Sequence, residues 1–241
     1  MDASDRQEPS NHTARLAGLF YLICAVTAPF ALIYVPSTIV AKGDPAATAR
    51  NILAHEALLR WGIFVGLVST TAFALAVLAL YRLFRPVHRG LAQAMVFLAV
   101  VTAPIALLEA IEELTALRLL QGANLLVVFE PAQRQAMAML LFGMRSAGVA
   151  VSELFWGLWL LPLGMLVVRS RLLPRIIGWA LVLNGVAYVA VSFAAVVQPA
   201  YQDIVDKAAM LPEFAELVFI LWLLIRGIQV EASPAAAAAP A

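Results

Sequence analysis

Apolar residues form long, nearly uninterrupted stretches along this chain. A helix needs about 20 predominantly apolar residues to cross a bilayer. Six stretches meet that requirement, at roughly 16–35, 59–82, 91–116, 147–168, 175–197 and 211–226. The pattern therefore predicts an all-α fold, a polytopic membrane helix bundle of about six transmembrane helices with short outer amphipathic helices.

Polar or low-complexity segments flank these spans and indicate the domain organisation. We expect residues 1–14 to form a disordered cytoplasmic N-terminus and residues 15–228 to form the transmembrane domain. Residues 229–241 are rich in alanine and proline and have no amphipathic face, so we expect a disordered tail.

The composition agrees with a lipid environment. Of 241 residues, 63% are hydrophobic and 13% are charged, whereas a soluble domain has about 45–50% apolar and about 25% charged residues. The 16 basic and 15 acidic side chains give a net charge of +1. No basic stripe or stacking motif is present, so we expect no nucleic-acid partner. Cys24 is the one cysteine, which excludes an internal disulfide.

Arginines cluster in the turns at one end of the predicted bundle. The turns 82–89 and 169–175 each carry three arginines and no acidic residue, and Arg226 closes the sixth span. The positive-inside rule assigns this end to the cytoplasm. We therefore expect a multi-pass protein of the cell inner (plasma) membrane with both termini cytoplasmic.

The opposite end carries longer connections of mixed charge. Asp44-Pro45 and Glu130-Pro131 each place an acidic residue before a proline, the arrangement expected at a helix N-terminus. We expect helices over 46–54 and 132–143 near the outer interface. Because each is followed by a span, a basic turn and another span, the pattern leaves open a parallel internal repeat of spans two–three and four–five.

Two features predict how the helices pack. Gly62, Gly66 and Ser69 form a face of small residues, which we expect to pack within this chain rather than to mediate dimerisation. Prolines inside the spans free a backbone carbonyl and are expected to bend their helices; they are Pro29, Pro104 and Pro162.

Ionisable residues inside the spans are candidates for function because charge in hydrocarbon is costly. Glu216 lies ten residues before Arg226, or ~15 Å along an ideal helix, near the middle of a ~30 Å hydrocarbon core. Glu153 lies 16 residues before Arg169, or ~24 Å by the same rise. We expect both carboxylates to point into one polar space between the fourth and sixth spans.

Two interpretations compete for the other charges: they line a vestibule open to the outside, or they snorkel and pair across helices. We favour the second for Glu109, Glu112, Glu113 and Glu213, which lie closer to the interface. The candidate ligand-binding residues are therefore Glu153, Glu216, Arg145, Arg60, His55 and Glu56.

Catalytic and cofactor signatures are absent from the sequence. No Glu-x-x-His pair is present, so we expect no metal. Ser152 has no histidine in its own segment, and no glycine-rich phosphate loop occurs. We expect no cofactor and assign no catalytic residue.

Several landmarks along the chain match a known family. They are Arg15-Leu16-Ala17-Gly18-Leu19-Phe20-Tyr21-Leu22, Ala54-His55-Glu56 with Leu58-Leu59-Arg60, Leu80-Tyr81-Arg82-Leu83 with Pro86-Val87, the stretch from Glu153 to Gly164, and the stretch from Leu173 to Gly178. With these landmarks, residues 14–228 resemble the bacterial membrane proteins of domain of unknown function 4386. The resemblance implies a bacterial multi-pass membrane protein and no particular activity.

Three classes of function stay open at this point. The first is binding or transport of a small or lipidic ligand in an outward-facing polar pocket. The second is an intramembrane enzyme that acts on a lipid or isoprenoid, with Glu153 or Glu216 as a buried general acid. The third is a non-catalytic subunit of a membrane complex. Pairing of the acids with arginines would favour the membrane-complex subunit. Deep carboxylates without arginine partners would favour the enzyme, and a continuous polar route past Asn184 would favour transport. The ligand and the oligomeric state stay open.

Overall fold

The computed structural model describes residues 10–122 and 128–229, and these residues form helices and no strand. Within them, six helical spans are long and apolar enough to cross a membrane, which confirms the predicted polytopic all-α bundle. Residues 1–9 and 230–241, which include most of the segments predicted to be disordered, lie outside the described residues.

The spans are built from the following helices: α1 Asn11–Pro29, α2 Val35–Ile39, α3 Pro45–Ala54, α4 Glu56–Phe84, α5 Arg89–Val100, α6 Thr102–Gln121, α7 Pro131–Ser170, α8 Arg175–Val197 and α9 Gln202–Ile225. A π-helical segment, Phe30–Tyr34, joins α1 to α2, and a 3-10 turn, Pro199–Tyr201, leads into α9.

The six spans form a ring in chain order. α1 packs against α4, α4 against α5 and α6, and α7 against α5, α6 and α8. α8 then packs against α9, and α9 returns to α1. Because the first span contacts the last, the bundle encloses a central space, and the seam between α1 and α9 closes the ring.

The two ends of the bundle differ in charge. We call the end that carries the arginine-rich turns 82–89 and 169–175 the basic end, and the opposite one the distal end. At the basic end the chain termini are tied together: the Asn11 Oδ1 atom accepts a hydrogen bond from the Ile228 backbone N–H at 2.8 Å. The Gln229 N–H donates to the Leu172 carbonyl at 2.9 Å. α1 begins at Asn11, inside the segment expected to be disordered, because the Ser10 hydroxyl caps its first turn.

The helix starts predicted at the distal end are confirmed. The Asp44 carboxylate accepts a hydrogen bond from the Ala47 N–H at 2.8 Å and begins α3 at Pro45. Glu130 and Gln133 form a reciprocal capping box at the start of α7. The predicted outer helix over 132–143 does not end before the fourth span, however, because both are parts of α7. α7 has 40 residues and is ~60 Å long, so it projects well beyond the hydrocarbon core.

Prolines interrupt two of the three spans in which bends were expected. The π-helical segment follows directly on Pro29. The break between α5 and α6 falls at Val101, just before Pro104, which cannot donate a hydrogen bond to the Val100 carbonyl. α7 continues through Pro162 without interruption.

Glycines bring α7 and α8 into close backbone contact. A Cβ atom on Gly164 would lie 2.6 Å from the Gly178 carbonyl oxygen, and one on Gly185 would lie 2.8 Å from the Gly157 carbonyl oxygen. The glycines of α4 face elsewhere: a Cβ on Gly62 would lie 2.9 Å from Val35. The expected packing of that face within the chain is therefore confirmed. The two helix pairs of the possible repeat do not share one contact pattern.

Candidate functional site

A cavity of about 470 Å³ lies inside the ring, within the range of about 300–1,000 Å³ that is typical of ligand pockets. All six spans contribute to its wall, which is mainly apolar. We call it the central cavity. A space of this size between the helices can accommodate a small molecule.

An aromatic cluster closes the central cavity toward the basic end. The ring centroids of Phe73 and Trp159 are 5.0 Å apart, and those of Tyr21 and Trp159 are 5.8 Å apart. Phe219 completes the cluster against Tyr21, at 6.4 Å. Between these rings and the basic end lies a core of buried apolar residues that extends to the arginine-rich turns. No residue of the arginine-rich turns lines the central cavity, so among the described residues this cavity ends inside the bundle on the basic side.

Glu216 lies at the end of the central cavity nearer the basic end and accepts hydrogen bonds from two neutral donors. The Tyr21 hydroxyl donates to Oε2, and the Asn184 Nδ2 atom donates to Oε1 at 2.8 Å. Both donors are buried, and the Asn184 Oδ1 atom is buried without a partner. The described residues place no arginine within ion-pair distance of Glu216. Its carboxyl group is therefore held by hydrogen bonds rather than by an ion pair.

An ion pair lies at the other end of the central cavity. The Arg145 Nε atom is 2.6 Å from Glu113 Oε1, and each side chain is 11% exposed. Arg145 also donates to the Ala31 carbonyl of the π-helical segment at 3.3 Å. Glu109 and Glu112 lie close enough to Arg145 to interact with it electrostatically. One arginine is thus surrounded by three carboxylates of α6.

A second cavity, of about 770 Å³, lies beyond this ion pair at the distal end, between the α2–α3 connection and α7. We call it the distal cavity. Three residues line both cavities, namely Val35, Glu113 and Arg145. These three residues, which we call the partition, lie where the central cavity and the distal cavity adjoin.

Two carboxylates in the wall of the central cavity have no hydrogen-bond partner among the described residues. Glu109 projects from α6, and its buried Oε1 atom lies over Gly148. Glu213 projects from α9, three residues before Glu216. Among the described residues that line this cavity, Arg145 alone is basic. The wall therefore carries more acidic than basic groups and offers carboxylates to a hydrogen-bond donor or a cation.

The structure places three of the predicted ligand-binding residues outside both cavities. His55 ends α3 in a non-helical conformation, so α4 starts afresh at Glu56 on the distal surface. Arg60 then pairs with Glu56 one turn away on its own helix, at 2.7 Å. The two side chains of this exposed pair neutralise each other. Since His55 also lies outside both cavities, none of these three residues belongs to the candidate site.

The predicted convergence of Glu153 and Glu216 is not observed. Glu216 lines the central cavity and Glu153 does not. Ser152 and Trp156 of α7 face the cavity instead, and Glu153 lies near Asp206 and Glu213 of α9. Arg145, also predicted for the site, does line the cavity, but its partner is Glu113.

Glu216 lies at the same depth in the bundle as its two hydrogen-bond donors, and Arg145 lies at the same depth as Glu113. Tyr21 lies ten residues into α1 and Asn184 nine residues after Arg175, so both are ~15 Å from the basic end, as is Glu216. Glu113 and Arg145 each lie 24 residues from the arginines that bound their spans, Arg89 and Arg169. Comparison of such distances on neighbouring spans is a sequence signal that could have found both contacts.

The described residues contain no group of three or more histidine, cysteine, aspartate or glutamate side chains arranged to hold a metal ion. Six apolar spans around a mainly apolar cavity that holds a few charged side chains define a polytopic α-helical membrane protein. A family model described as domain of unknown function (DUF4386) matches residues 16–227, so the chain belongs to that family. No curated protein and no solved structure matches the chain.

Proposed function

We propose that this protein binds a small amphipathic molecule in the central cavity, with the apolar part against the helix walls and a cationic or hydrogen-bond-donating head on the carboxylates. The observation that carries the proposal is that Glu109 and Glu213, in a mainly apolar wall, make no hydrogen bond among the described residues, and that the Glu109 Oε1 atom is buried. A carboxylate is an acceptor only, so its natural partner is a donor or a cation.

The charges of the cavity favour a cationic head over an anionic one. Four glutamates line the cavity against one arginine, which already has a close partner; they are Glu109, Glu113, Glu213 and Glu216. An anionic head would meet several like charges, whereas an ammonium group would relieve them. A primary amine with an alkyl chain is the simplest probe of this chemistry.

We further propose that the basic end faces the cytoplasm, in line with the positive-inside rule. The central cavity then lies in the outer half of the bilayer, and the distal cavity opens outward. A bound amphiphile would have its head at the level of the outer leaflet. This arrangement suits binding or transport between the outer leaflet and the outside.

Thermal unfolding in mild detergent with three probes of one chain length tests the proposal. Dodecylamine should raise the unfolding temperature in a saturable manner, dodecanol less, and dodecanoate not at all. A ligand at 100 times its dissociation constant stabilises by about 2.7 kcal/mol. Glu109→Gln should weaken the response to dodecylamine, and the matched exposed variant Glu56→Gln should keep it. Equal stabilisation by dodecanoate, or none by dodecylamine, would overturn the proposal.

An enzyme that modifies a lipid is the second candidate, and one observation favours it. Among the described residues Glu216 has no arginine partner, and a carboxyl group without a cationic partner in an apolar site can hold the proton that a general acid needs. Mass spectrometry of membrane lipids incubated with the wild type and with Glu216→Gln separates the candidates. A product that only the wild type forms would favour the enzyme, and unchanged lipids would favour the binding protein.

A further inference from the structure

The exposed part of the central cavity wall has a single chemical character. Five lining residues are exposed, and all are apolar. They come from two neighbouring elements: Pro29 and Ile33 from the first span, and Met210, Phe214 and Leu217 from α9. We call these five residues the slot. It lies on the seam where the ring closes, and we expect these exposed apolar side chains on transmembrane spans to face the hydrocarbon.

The same seam is tightly packed nearer the basic end. A Cβ atom on Gly18 of α1 would lie 2.9 Å from the Leu224 side chain and 3.3 Å from the Ile220 carbonyl oxygen. Farther along, α1 passes through Pro29 into the π-helical segment, and α9 contains Pro212. Each proline removes a backbone hydrogen bond. The two helices are therefore close at one end and interrupted by proline where the slot lies.

A carboxylate lies next to the slot on the same helix face. Met210, Glu213, Phe214 and Leu217 are spaced at i, i+3, i+4 and i+7 along α9, which places them on one side of the helix. A head group that passes the slot would meet Glu213 first. Access from water at the distal end is different, because the ion pair of the partition lies across that direction.

We propose that the central cavity is entered sideways from the bilayer, through the slot between α1 and α9, so that its occupant is an amphiphile dissolved in the membrane rather than a solute from water. The identity of the occupant rests on the proposed function. The route does not, because access to the cavity can be measured without any ligand.

Cys24 provides the measurement. It is the one cysteine of the chain, and it lines the central cavity beside Ser69, with Sγ 3.4 Å from the Ser69 hydroxyl. Two maleimides with the same reactive group, one carrying a dodecyl chain and one a sulfonate, should be reacted with the wild type in lipid vesicles. Each labelling rate is divided by the rate of the same reagent with the unfolded chain, so that differences between the reagents reflect their access to Cys24.

Large side chains at the slot should slow the lipid-soluble reagent alone. Leu217→Trp and Ile33→Trp should each reduce labelling by dodecyl maleimide by about tenfold, which corresponds to ~1.4 kcal/mol in barrier. Val218→Trp is the matched control, because Val218 is 52% exposed on the same helix and does not line the cavity. It should leave the rate unchanged. Both slot positions are exposed, so the larger side chains need not disturb the core.

A smaller side chain in the partition should instead change access for the water-soluble reagent. Glu113→Ala should raise labelling by the sulfonated maleimide and leave the dodecyl reagent unaffected. The proposal is overturned if the slot variants label like the wild type, or if the sulfonated reagent reaches Cys24 as readily as the dodecyl reagent. If the slot variants behave as expected but dodecylamine does not stabilise the protein, the ligand class is wrong and the route stands. If dodecylamine binds and the slot variants have no effect, the route is wrong and the ligand class stands.

Discussion

At the scale of single residues, the contrast between Glu216 and Glu113 explains how this bundle accommodates buried acids. Glu216 has two neutral donors, Tyr21 and Asn184, and Glu113 has an arginine. The asparagine amide can present either its nitrogen or its oxygen to a neighbour. The site of Glu216 therefore suits a neutral group of the same shape, whereas that of Glu113 depends on opposite charge.

We predict that Glu216→Gln unfolds within about 1 kcal/mol of the wild type, because the new amide can accept from Tyr21 and donate to the oxygen of a flipped Asn184 amide. Glu216→Ala leaves Tyr21 and Asn184 without their acceptor and should cost roughly 1–3 kcal/mol. Reversible unfolding in mixed micelles measures both variants. An equal loss in the two variants would mean that the negative charge itself stabilises the fold.

Removal of Arg145 should be more damaging than removal of Glu113. Arg145→Met leaves three carboxylates of α6 without their cation, and we expect a loss of roughly 3–5 kcal/mol. Glu113→Gln should cost less, because Glu109 is close enough to replace it as a partner.

The exposed pair Glu56–Arg60 is the control for this comparison. Its loss in Glu56→Gln should cost no more than about 1 kcal/mol. Unfolding in mixed micelles again provides the measurement. If Glu113→Gln proved as damaging as Arg145→Met, the neighbouring carboxylates would not share the arginine.

At the scale of helices, the apolar pattern predicts the spans well and their interruptions poorly. The six apolar stretches all correspond to spans, because the length needed to cross hydrocarbon is a strong constraint. The continuous run of α7 through residues 144–146 and the π-helical segment after Pro29 were not predicted. Both depend on neighbouring helices, which a single segment of sequence does not describe.

The glycines of α7 and α8 illustrate the same difference. The glycines of α7 and α8 are spaced by seven residues within each helix, at 157 and 164 and at 178 and 185, yet only the closer pair in α4 was predicted to form a packing face. Their role depends on which faces meet in the folded ring. The spacing alone does not identify the partner helix.

We predict that Gly164→Ala destabilises the protein by roughly 1–3 kcal/mol, because the added methyl group would overpack the contact between α7 and α8. Gly143→Ala on the same helix is the matched control, since nothing lies within 4 Å of a Cβ atom there. It should be neutral or stabilise by up to about 1 kcal/mol. Similar losses in both variants would contradict the close helix approach.

At the scale of the whole molecule, a ring of six spans in chain order places an opening wherever two neighbours fail to pack along their length. The seam between α1 and α9 joins the first span to the last, and it holds the exposed part of the cavity wall. Depth along each helix, counted from the arginine-rich turns, reproduces which polar residues meet. The lateral order of the helices, which decides that Glu153 is excluded from the cavity, required the structure.

The orientation of the ring follows from the arginine-rich turns. Reporter domains fused after Gly90 and after Ala123 should report opposite sides of the membrane, with the first in the cytoplasm. If both fusions report one side, the third span does not cross the bilayer. If the sides are reversed, the central cavity belongs to the inner half.

We expect the ring to hold an amphiphile in its central cavity, and native mass spectrometry of the protein released from mild detergent tests this most directly. The wild type should carry a small co-purified molecule or retain added dodecylamine. Ala106→Phe, which fills the cavity wall, should lose it, and Leu107→Phe, at the neighbouring exposed position, should keep it. Equal retention by both variants, or no bound molecule on the wild type even with dodecylamine added, would contradict the account.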